Sequence, residues 1–471
     1  MSKPAPAGSG QPPIIIPRPD HGVSRANISK NALKVLYRLK DAGFQAFLVG
    51  GAVRDLLLGL RPKDFDVATD ADPDQVRDLF RNSRLIGRRF RLAHVRFGRD
   101  IIEVATFRAS ADEDDERADV ELDQHGRILR DNVYGSIDED VWRRDFTANA
   151  LYYNIADFSI WDYVGGARDI EERVLRLIGD PEQRLREDPV RMLRAVRFAA
   201  KLDFTIHDEV AELMPELSAL LGHVPAARLF DEFVKMFQAG HARRTFELLL
   251  DHGLFGRLFP ETRRELDGPV AAKFREFIAL ALANTDQRVA EGKAVTPMFL
   301  LGVFLWAPVR ARAAEMLAER KMGEPQALGV AAGEVVARQQ SLISIPKRFA
   351  IPMREMLALQ PRFERRRGKR AMSFLEHRRF RAAYDFMLLR SRIGEVDPEV
   401  AAFWTEVQEM SGEERADAFE VRGSSGRGKG ADKGSGQSSG QSGDREGGTG
   451  EGRKSGRRRR PRRRKRRESG D

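Results

Sequence analysis

Leu48-Val49-Gly50-Gly51-Ala52-Val53-Arg54-Asp55, followed by Lys63-Asp64-Phe65-Asp66, is the stretch that decides how this 471-residue chain reads. Residues 44–49 form a short apolar run bounded by glycine, which predicts a buried strand. Gly50-Gly51 then turns the chain into a short helix over 52–58, stopped by Gly59 and Pro62. Residues 65–68 predict the next strand. Side chains alternate along a strand, so Asp64 and Asp66 share one face while Phe65 points into the core. Two carboxylates on one face repel each other unless a cation lies between them. Hard oxygen donors of this kind suit Mg²⁺, which takes one or two carboxylates plus substrate phosphates, and Mn²⁺ accepts the same donors. A glycine pair before a helix exposes backbone N–H groups and lets a phosphate approach closely, with Arg54 in the first helical turn able to reach the same anion.

Around this stretch the chain alternates short strands and helices. A helix through Leu33, Leu36 and Tyr37 starts at a Ser29 cap and ends before Gly43. Asp72-Pro73 opens another helix, with Asp as N-cap and Pro in the first turn. Residues 94–97 and 101–107 predict two strands turning at Gly98-Arg99-Asp100, and 150–154 with 159–163 predict a hairpin. This is the pattern of a compact α/β unit with a small mixed sheet. Residues 112–123 interrupt it with eight acidic side chains and one basic one, a surface loop with no assigned role. From about Asp180 the pattern becomes helical throughout. Phe380, Ala383, Tyr384, Met387 and Leu388 recur at helical spacing, and Phe246, Leu249 and Leu250 do so before a stop at Gly253. The expected plan is a disordered segment at 1–25, an α/β head at 26–170, a helical neck at 171–260, a helical body at 261–420, and a Gly/Ser-rich linker with a basic tail at 421–471.

Charge is concentrated in that tail. The formal net charge is +10, and residues 453–467 alone carry twelve Lys/Arg and no acid, which leaves −2 for everything else. A folded chain with a separate polycation points to a polyanionic partner, most simply a nucleic acid. The absence of cysteine removes disulfide scaffolds, thiolate zinc sites and cysteine nucleophiles, and fits a reducing compartment. No apolar run approaches the roughly 20 residues that span a bilayer, so the expectation is a cytoplasmic protein without a membrane partner. The eight histidines show no metal-ligand spacing, and neither a G-x-S-x-G nor a P-loop pattern occurs.

The ordered pattern L-x-G-G-x-x-R-D…D-x-D resembles the first motif of nucleotidyltransferases of the DNA polymerase beta superfamily. Within it, the chain is similar to the bacterial group of tRNA CCA-adding enzymes and poly(A) polymerases. Three later segments match in register: Arg143-Arg144-Asp145-Phe146-Thr147-Ala148-Asn149-Ala150, Asp162-Tyr163-Val164-Gly165-Gly166 with Asp169, and 187–198 with Asp188, Arg191 and Arg194. The resemblance implies an α/β head followed by an all-α neck and body, and a two-metal mechanism: one Mg²⁺ held by Asp64 and Asp66 would lower the pKa of the RNA 3′-hydroxyl, and a second would neutralise the triphosphate and the leaving pyrophosphate. It also implies nucleotide contacts from Gly50, Gly51, Arg54, Arg144, Asn149, Asp188, Arg191 and Arg194. Asp188 and Arg191, near the start of a helix over 188–200, would read the edge of the incoming base: a carboxylate accepts from the exocyclic amine of adenine, and a guanidinium donates to a ring nitrogen. The resemblance favours Asp145 as a third catalytic carboxylate, and Glu103, flanked by Ile102 and Val104 on a strand, stays open as a nearby metal or water ligand.

Residues 85–95 resemble the segment that separates the poly(A) polymerases from the CCA-adding enzymes, and an arginine-rich C-terminal extension is typical of the former. The expectation is therefore a template-independent enzyme that extends RNA 3′ ends with AMP from ATP, releases pyrophosphate, and marks RNA for the decay machinery. The alternatives are a CCA-adding enzyme and an RNA-binding module that has lost activity, against which the intact Asp64/Asp66 pair argues. Single-stranded RNA would track along Arg365, Arg366, Arg367, Lys369 and Arg370 in the body and along Arg457, Arg458, Arg459 and Arg460 in the tail.

Overall fold

The computed structural model describes residues 12–87, 91–109, 121–122, 128–130, 133–319 and 322–420. The basic tail, including Arg457–Arg460, lies outside the described residues, as does most of the acidic segment. From that segment the backbone of Glu121–Leu122 pairs with Ile128–Arg130 as a small antiparallel ladder.

The head is built on an eight-stranded sheet. Its order is Ile14–Ile16, Ile160–Asp162, Leu151–Asn154, Ala46–Val49, Asp66–Thr69, Asp100–Thr106, Leu92–Phe97 and Ser83–Ile86. Only the fifth and sixth strands in this order, Asp66–Thr69 with Asp100–Thr106, run parallel. Ala46–Val49 is buried on both faces because it sits mid-sheet between two apolar layers. Its Ala46 and Leu48 join the main core, while Phe47 and Val49 join a second cluster with Ala68, Ala150, Tyr152 and Val141. The helix Lys30–Asp41 covers the main-core face, capped by Ser29 and followed by Gly43 at φ +91. Pro73–Leu79 starts at a reciprocal Asp72/Gln75 capping box.

Two expectations are corrected. Residues 12–25 are not disordered: Ile14–Ile16 pairs antiparallel with Ile160–Asp162 at the sheet edge, followed by a turn of 3₁₀ helix at Arg18–Asp20. Flanking prolines suit an edge strand, since one side of its ladder goes unpaired, and they made the segment look structureless in composition. The region after Asp180 is also not wholly helical, because Thr205–Ile206 pairs parallel with Val174–Leu175.

Beyond the head the chain is helical. Phe304, in the long helix Pro297–Glu319, packs its ring against Phe233, Phe237, Phe246, Phe255 and Phe259. One apolar core thus runs without a break from the sheet into the helices. Among the described residues, no helix is long and apolar enough to cross a membrane.

Candidate active site

Four local structures converge on a cleft of about 620 Å³: the glycine turn, the approach to strand Asp66–Thr69, the segment around the 3₁₀ turn Thr147–Asn149, and the helix Val190–Leu202. The turn needs its glycines for different reasons. Gly50 sits at φ +71, a conformation that costs a side-chain-bearing residue strain. A Cβ on Gly51 would come within 3.3 Å of Arg54 Nη2. The first i→i−4 bond of the helix Gly51–Leu57 is Arg54 N–H to Gly50 C=O, so the amides before it have no acceptor within the helix.

Asp64 and Asp66 both line the cleft. The strand begins at Asp66, one residue later than expected, and Phe65 packs against the core. Asp66 lies beside Val49 on one neighbouring strand and Glu103 on the other, and Glu103 lies beside His94. The His94 ring nitrogen sits 3.1 Å from the Glu103 carboxylate. Asp66 opens to the cleft, yet the enclosing head, and then the Glu103 and Asp64 charges, push its carboxyl up to about 6. No described hydrogen bond or ion pair satisfies Asp64 or Asp66. Among the described residues no group of three or more His, Asp or Glu is arranged to hold a metal ion by itself. Two unpaired hard-oxygen donors, with the Asp64 charge pushing the Asp66 carboxyl up, nevertheless fit a divalent cation completed by substrate phosphates.

The two candidates for a third carboxylate have different surroundings. Asp145 is locked: Oδ2 accepts from Arg194 Nε at 2.8 Å and also from Nη2, while Oδ1 accepts from the Phe146 amide and Asn149 Nδ2. Burial alone would raise its pKa, but the Arg194 guanidinium and these hydrogen bonds hold it below the ordinary carboxylate range. Asp145 lines the cleft as a held residue, whereas Glu103 shares the face of Asp66 through the parallel register.

Arg54 is buried and works as a strut. Nε and Nη2 donate to Asp55 Oδ1 at 2.9 and 2.6 Å, and Nη1 donates to Asn149 Oδ1. Arg144 is held from one side, with Nε donating to the Tyr152 hydroxyl and Nη2 to Asp140 Oδ2. Burial works to lower its pKa, and the Tyr152 and Asp140 partners outweigh this and raise it, so its charge is permanent. Arg144 Nη1 is directed to the glycine turn, 3.7 Å from where a Cβ on Gly50 would lie.

The opposite wall carries Asp188 and Arg191, with a correction to where their helix starts. The helix begins at Val190 behind Pro189, and Asp188 caps the end of the preceding helix Pro181–Glu187. The Arg191 amide donates to the Asp188 carbonyl at 2.9 Å, but the two side chains take other partners. Asp188 Oδ2 accepts from Arg228 Nη2 at 2.6 Å, and Arg191 Nη1 donates to the Arg184 carbonyl and to Glu187. Pro189 in helical geometry moves the cap one residue along and turns Asp188 toward Arg228 on the helix Ala226–Phe237.

Lys63, Arg197, Phe198, Lys201 and Arg228 line the same cleft and were not foreseen. Arg191, Arg194, Arg197 and Lys201 recur every three or four residues, a helical-face signal that was present in the sequence. Phe198 spaces the charges: Arg54, Arg194 and Arg197 stand 5.3, 5.5 and 4.3 Å from its ring centroid. No sequence signal marked Arg228, which comes from a separate helix.

The Asp162…Asp169 motif lies outside the cleft and braces it. Asp162 accepts from the Val164, Gly166 and Ala167 amides. A Cβ on Gly166 would collide with the Thr147 carbonyl, and Thr147 Oγ1 donates to Asp169 at 2.6 Å. The motif therefore presses one helix onto the turn that presents Asn149. In the body, Arg365–Arg367 are irregular and Lys369–Arg370 open the short helix Lys369–Met372; the stretch is mostly exposed, with Arg367 paired to Glu420.

Comparison with known proteins agrees with this geometry. A family model described as Poly A polymerase head domain matches residues 46–176. Models described as a probable RNA and SrmB-binding site of polymerase A and as the polymerase A arginine-rich C-terminus match 203–266 and 320–468. The chain is 50% identical over 398 residues to poly(A) polymerase I of Salmonella typhi, covering 84% of this chain and 85% of that protein. To the CCA-adding enzyme of Bacillus subtilis it is 40% identical over 227 residues, covering 48% and 55%. The crystal structure of the Bacillus stearothermophilus CCA-adding enzyme in complex with CTP superposes with a TM-score of 0.51 at 25% identity, covering 83% of this chain and 90% of that one.

Proposed function

The chain belongs to the family of bacterial poly(A) polymerases, and from that premise and the cleft we infer that it transfers AMP from ATP to RNA 3′ ends. The RNA 3′-hydroxyl oxygen forms a bond to the α-phosphorus of ATP, the bond to the bridging oxygen of the β-phosphate breaks, and pyrophosphate leaves as the hydroxyl gives up its proton. The observation that carries this is one cleft lined on one side by the unpaired Asp64 and Asp66 and on the other by the cationic face of Val190–Leu202.

In this reading Asp64 and Asp66 would hold Mg²⁺, and the bound cations would supply charge neutralisation for the triphosphate and a lowered pKa for the 3′-hydroxyl. Glu103 adds negative charge beside Asp66 and supports that site. Arg144 and the glycine turn receive the phosphates, and Arg54 and Asn149 keep the turn in place. Asp145 holds Arg194 toward the cleft. Asp188 and Arg191 select adenine once ATP displaces or shares their present partners. The exposed arginines 365–367, with Lys369 and Arg370, guide RNA, as do Arg457–Arg460 beyond the described residues. Both substrates are cytoplasmic in a bacterium, and the proposed consequence of the added tail is recognition by RNA-decay enzymes.

Separate incubation of RNA with ATP or CTP tests the reaction. Long extension with ATP alone supports it; addition that stops after a few residues and requires CTP would overturn it in favour of CCA addition.

A further inference from the structure

The helical body contains a second cleft, of about 940 Å³, formed where the helices Ala271–Ala290 and Phe380–Arg392 face each other beside residues 293–300. Its two main walls are single helix faces. Asn284, Thr285 and Arg288 come from the first; Arg381, Asp385 and Leu388 come from the second, at helical spacing. The opposite face of the second helix, through Phe380, Ala383, Tyr384 and Met387, is the one packed into the core. Core packing takes Leu388 only in part and leaves Arg381 and Asp385 to the cleft.

The lining combines three kinds of group. Phe299, Leu280 and Leu388 make an apolar floor, and Phe299 meets Phe386 edge-on at 6.0 Å between centroids, which fixes its ring. Six lysines and arginines line the cleft against two acids, Glu291 and Asp385. Some of these charges are already engaged: Lys293 with Glu291, Arg381 with Asp385, and Arg378 and Arg379 with Glu355 outside the cleft. Counting Glu355, cations still outnumber acids by six to three. Asp385 is the one acid set into a wall, and it is half-buried.

We propose that this cleft binds one unstacked nucleotide of the single-stranded RNA substrate, with the base against Phe299 and Leu388, Asp385 accepting from its exocyclic amine, and Arg288, Arg381 and Arg392 on the flanking phosphates. An apolar floor beneath a cationic rim is how sequence-tolerant single-strand sites are built. A carboxylate inside such a site adds a preference, because adenine and cytosine present an exocyclic amine where uracil presents a carbonyl. The excess of positive charge favours RNA over an acid-poor protein segment as the occupant. The proposal rests on the RNA-extending activity inferred above and adds a second point of attachment, in the body, to the one at the active cleft.

Binding of the full-length protein to fluorescent oligo(A) and oligo(U) of about 15 nucleotides, together with steady-state extension of oligo(A), tests it. In Arg381→Ser/Arg392→Ser, oligonucleotide affinity and the KM for RNA should worsen about tenfold at low salt, the salt slope should flatten by about 0.7 for each phosphate no longer neutralised, and the KM for ATP should stay unchanged. Asp385→Asn keeps the side-chain shape and should reduce the oligo(A):oligo(U) preference about fivefold. A circular-dichroism melt excludes loss of fold as the cause. Unchanged oligonucleotide affinity in both variants overturns the proposal and leaves an acidic protein as the occupant. Wild-type protein that binds oligo(A) but adds no AMP overturns the activity instead, so the two failures are distinct.

Discussion

The Nε of Arg144 donates to the Tyr152 hydroxyl at 2.6 Å, and that hydroxyl donates to Asp140 Oδ2 at 2.7 Å. Arg144 Nη2 reaches the same Asp140 oxygen at 2.8 Å, closing a buried triangle that fixes where the guanidinium points. Tyr152→Phe removes the oxygen and keeps the ring, which lies 4.9 Å from the guanidinium carbon. A hydrogen bond to a charged group contributes about 1.5–3 kcal/mol, so the KM for ATP should rise about tenfold while the KM for RNA holds. Equal changes in both constants would assign Tyr152 a purely structural task.

Asp64→Asn and Asp66→Asn should each lower AMP transfer by at least about a thousandfold, since losing a held divalent cation costs several kcal/mol in the transition state. Neither side chain has a described structural partner, so thermal stability should stay near wild type. Turnover close to wild type with saturating Mg²⁺ would remove the metal assignment.

Base choice should pass through Asp188 and its partner. Asp188→Ala and Arg191→Ala should cost about 1–3 kcal/mol of ATP-over-CTP discrimination, by analogy with bidentate base contacts. Arg228→Ala removes the 2.6 Å contact that orients Asp188 and should cause a smaller loss in the same direction. Competition assays with both nucleotides provide the comparison, and selectivity unchanged in all three variants would contradict it.

Asp145 gives a pH signature. Its carboxyl is held below its ordinary range by Arg194, so its stabilisation is fully present above the unfolded value of about 3.9 and is lost as pH falls through the folded value. Asp145→Asn should therefore melt below wild type at neutral pH, with the gap closing only below about pH 4. A gap that stays constant from pH 7 to 3 would show that shape, rather than charge, is what Asp145 contributes.

Deleting residues 422–471 removes the twelve cations at 453–467. Each phosphate they neutralise on a single strand contributes a log–log salt slope of about −0.7, so the truncated chain should show a higher KM for RNA at low salt and a flatter salt dependence. The KM for ATP should not move. Identical RNA constants at low salt would leave the tail a solubilising role only.

Local pattern was enough for much of this protein. The glycine pair, the Asp64/Asp66 alternation, the Ser29 and Asp72 caps and the Glu103 strand face depend on neighbours a few residues apart, which fix backbone geometry directly. The head and its cleft were legible for that reason, together with the motifs that mark the family. Arg228 against Asp188, Arg194 against Asp145 and Tyr152 against Arg144 were decided elsewhere. Arg228 and Asp188 are 40 residues apart and Arg194 and Asp145 are 49 apart, and no periodicity links them. Their pairing follows from how Val190–Leu202 and Ala226–Phe237 dock on a shared apolar core, because burying that surface sets the helix positions and the charged side chains then take the partners within reach. The edge strand Ile14–Ile16 was hidden for the same reason: three isoleucines between prolines become a strand only when Ile160–Asp162 supplies the other half of the ladder.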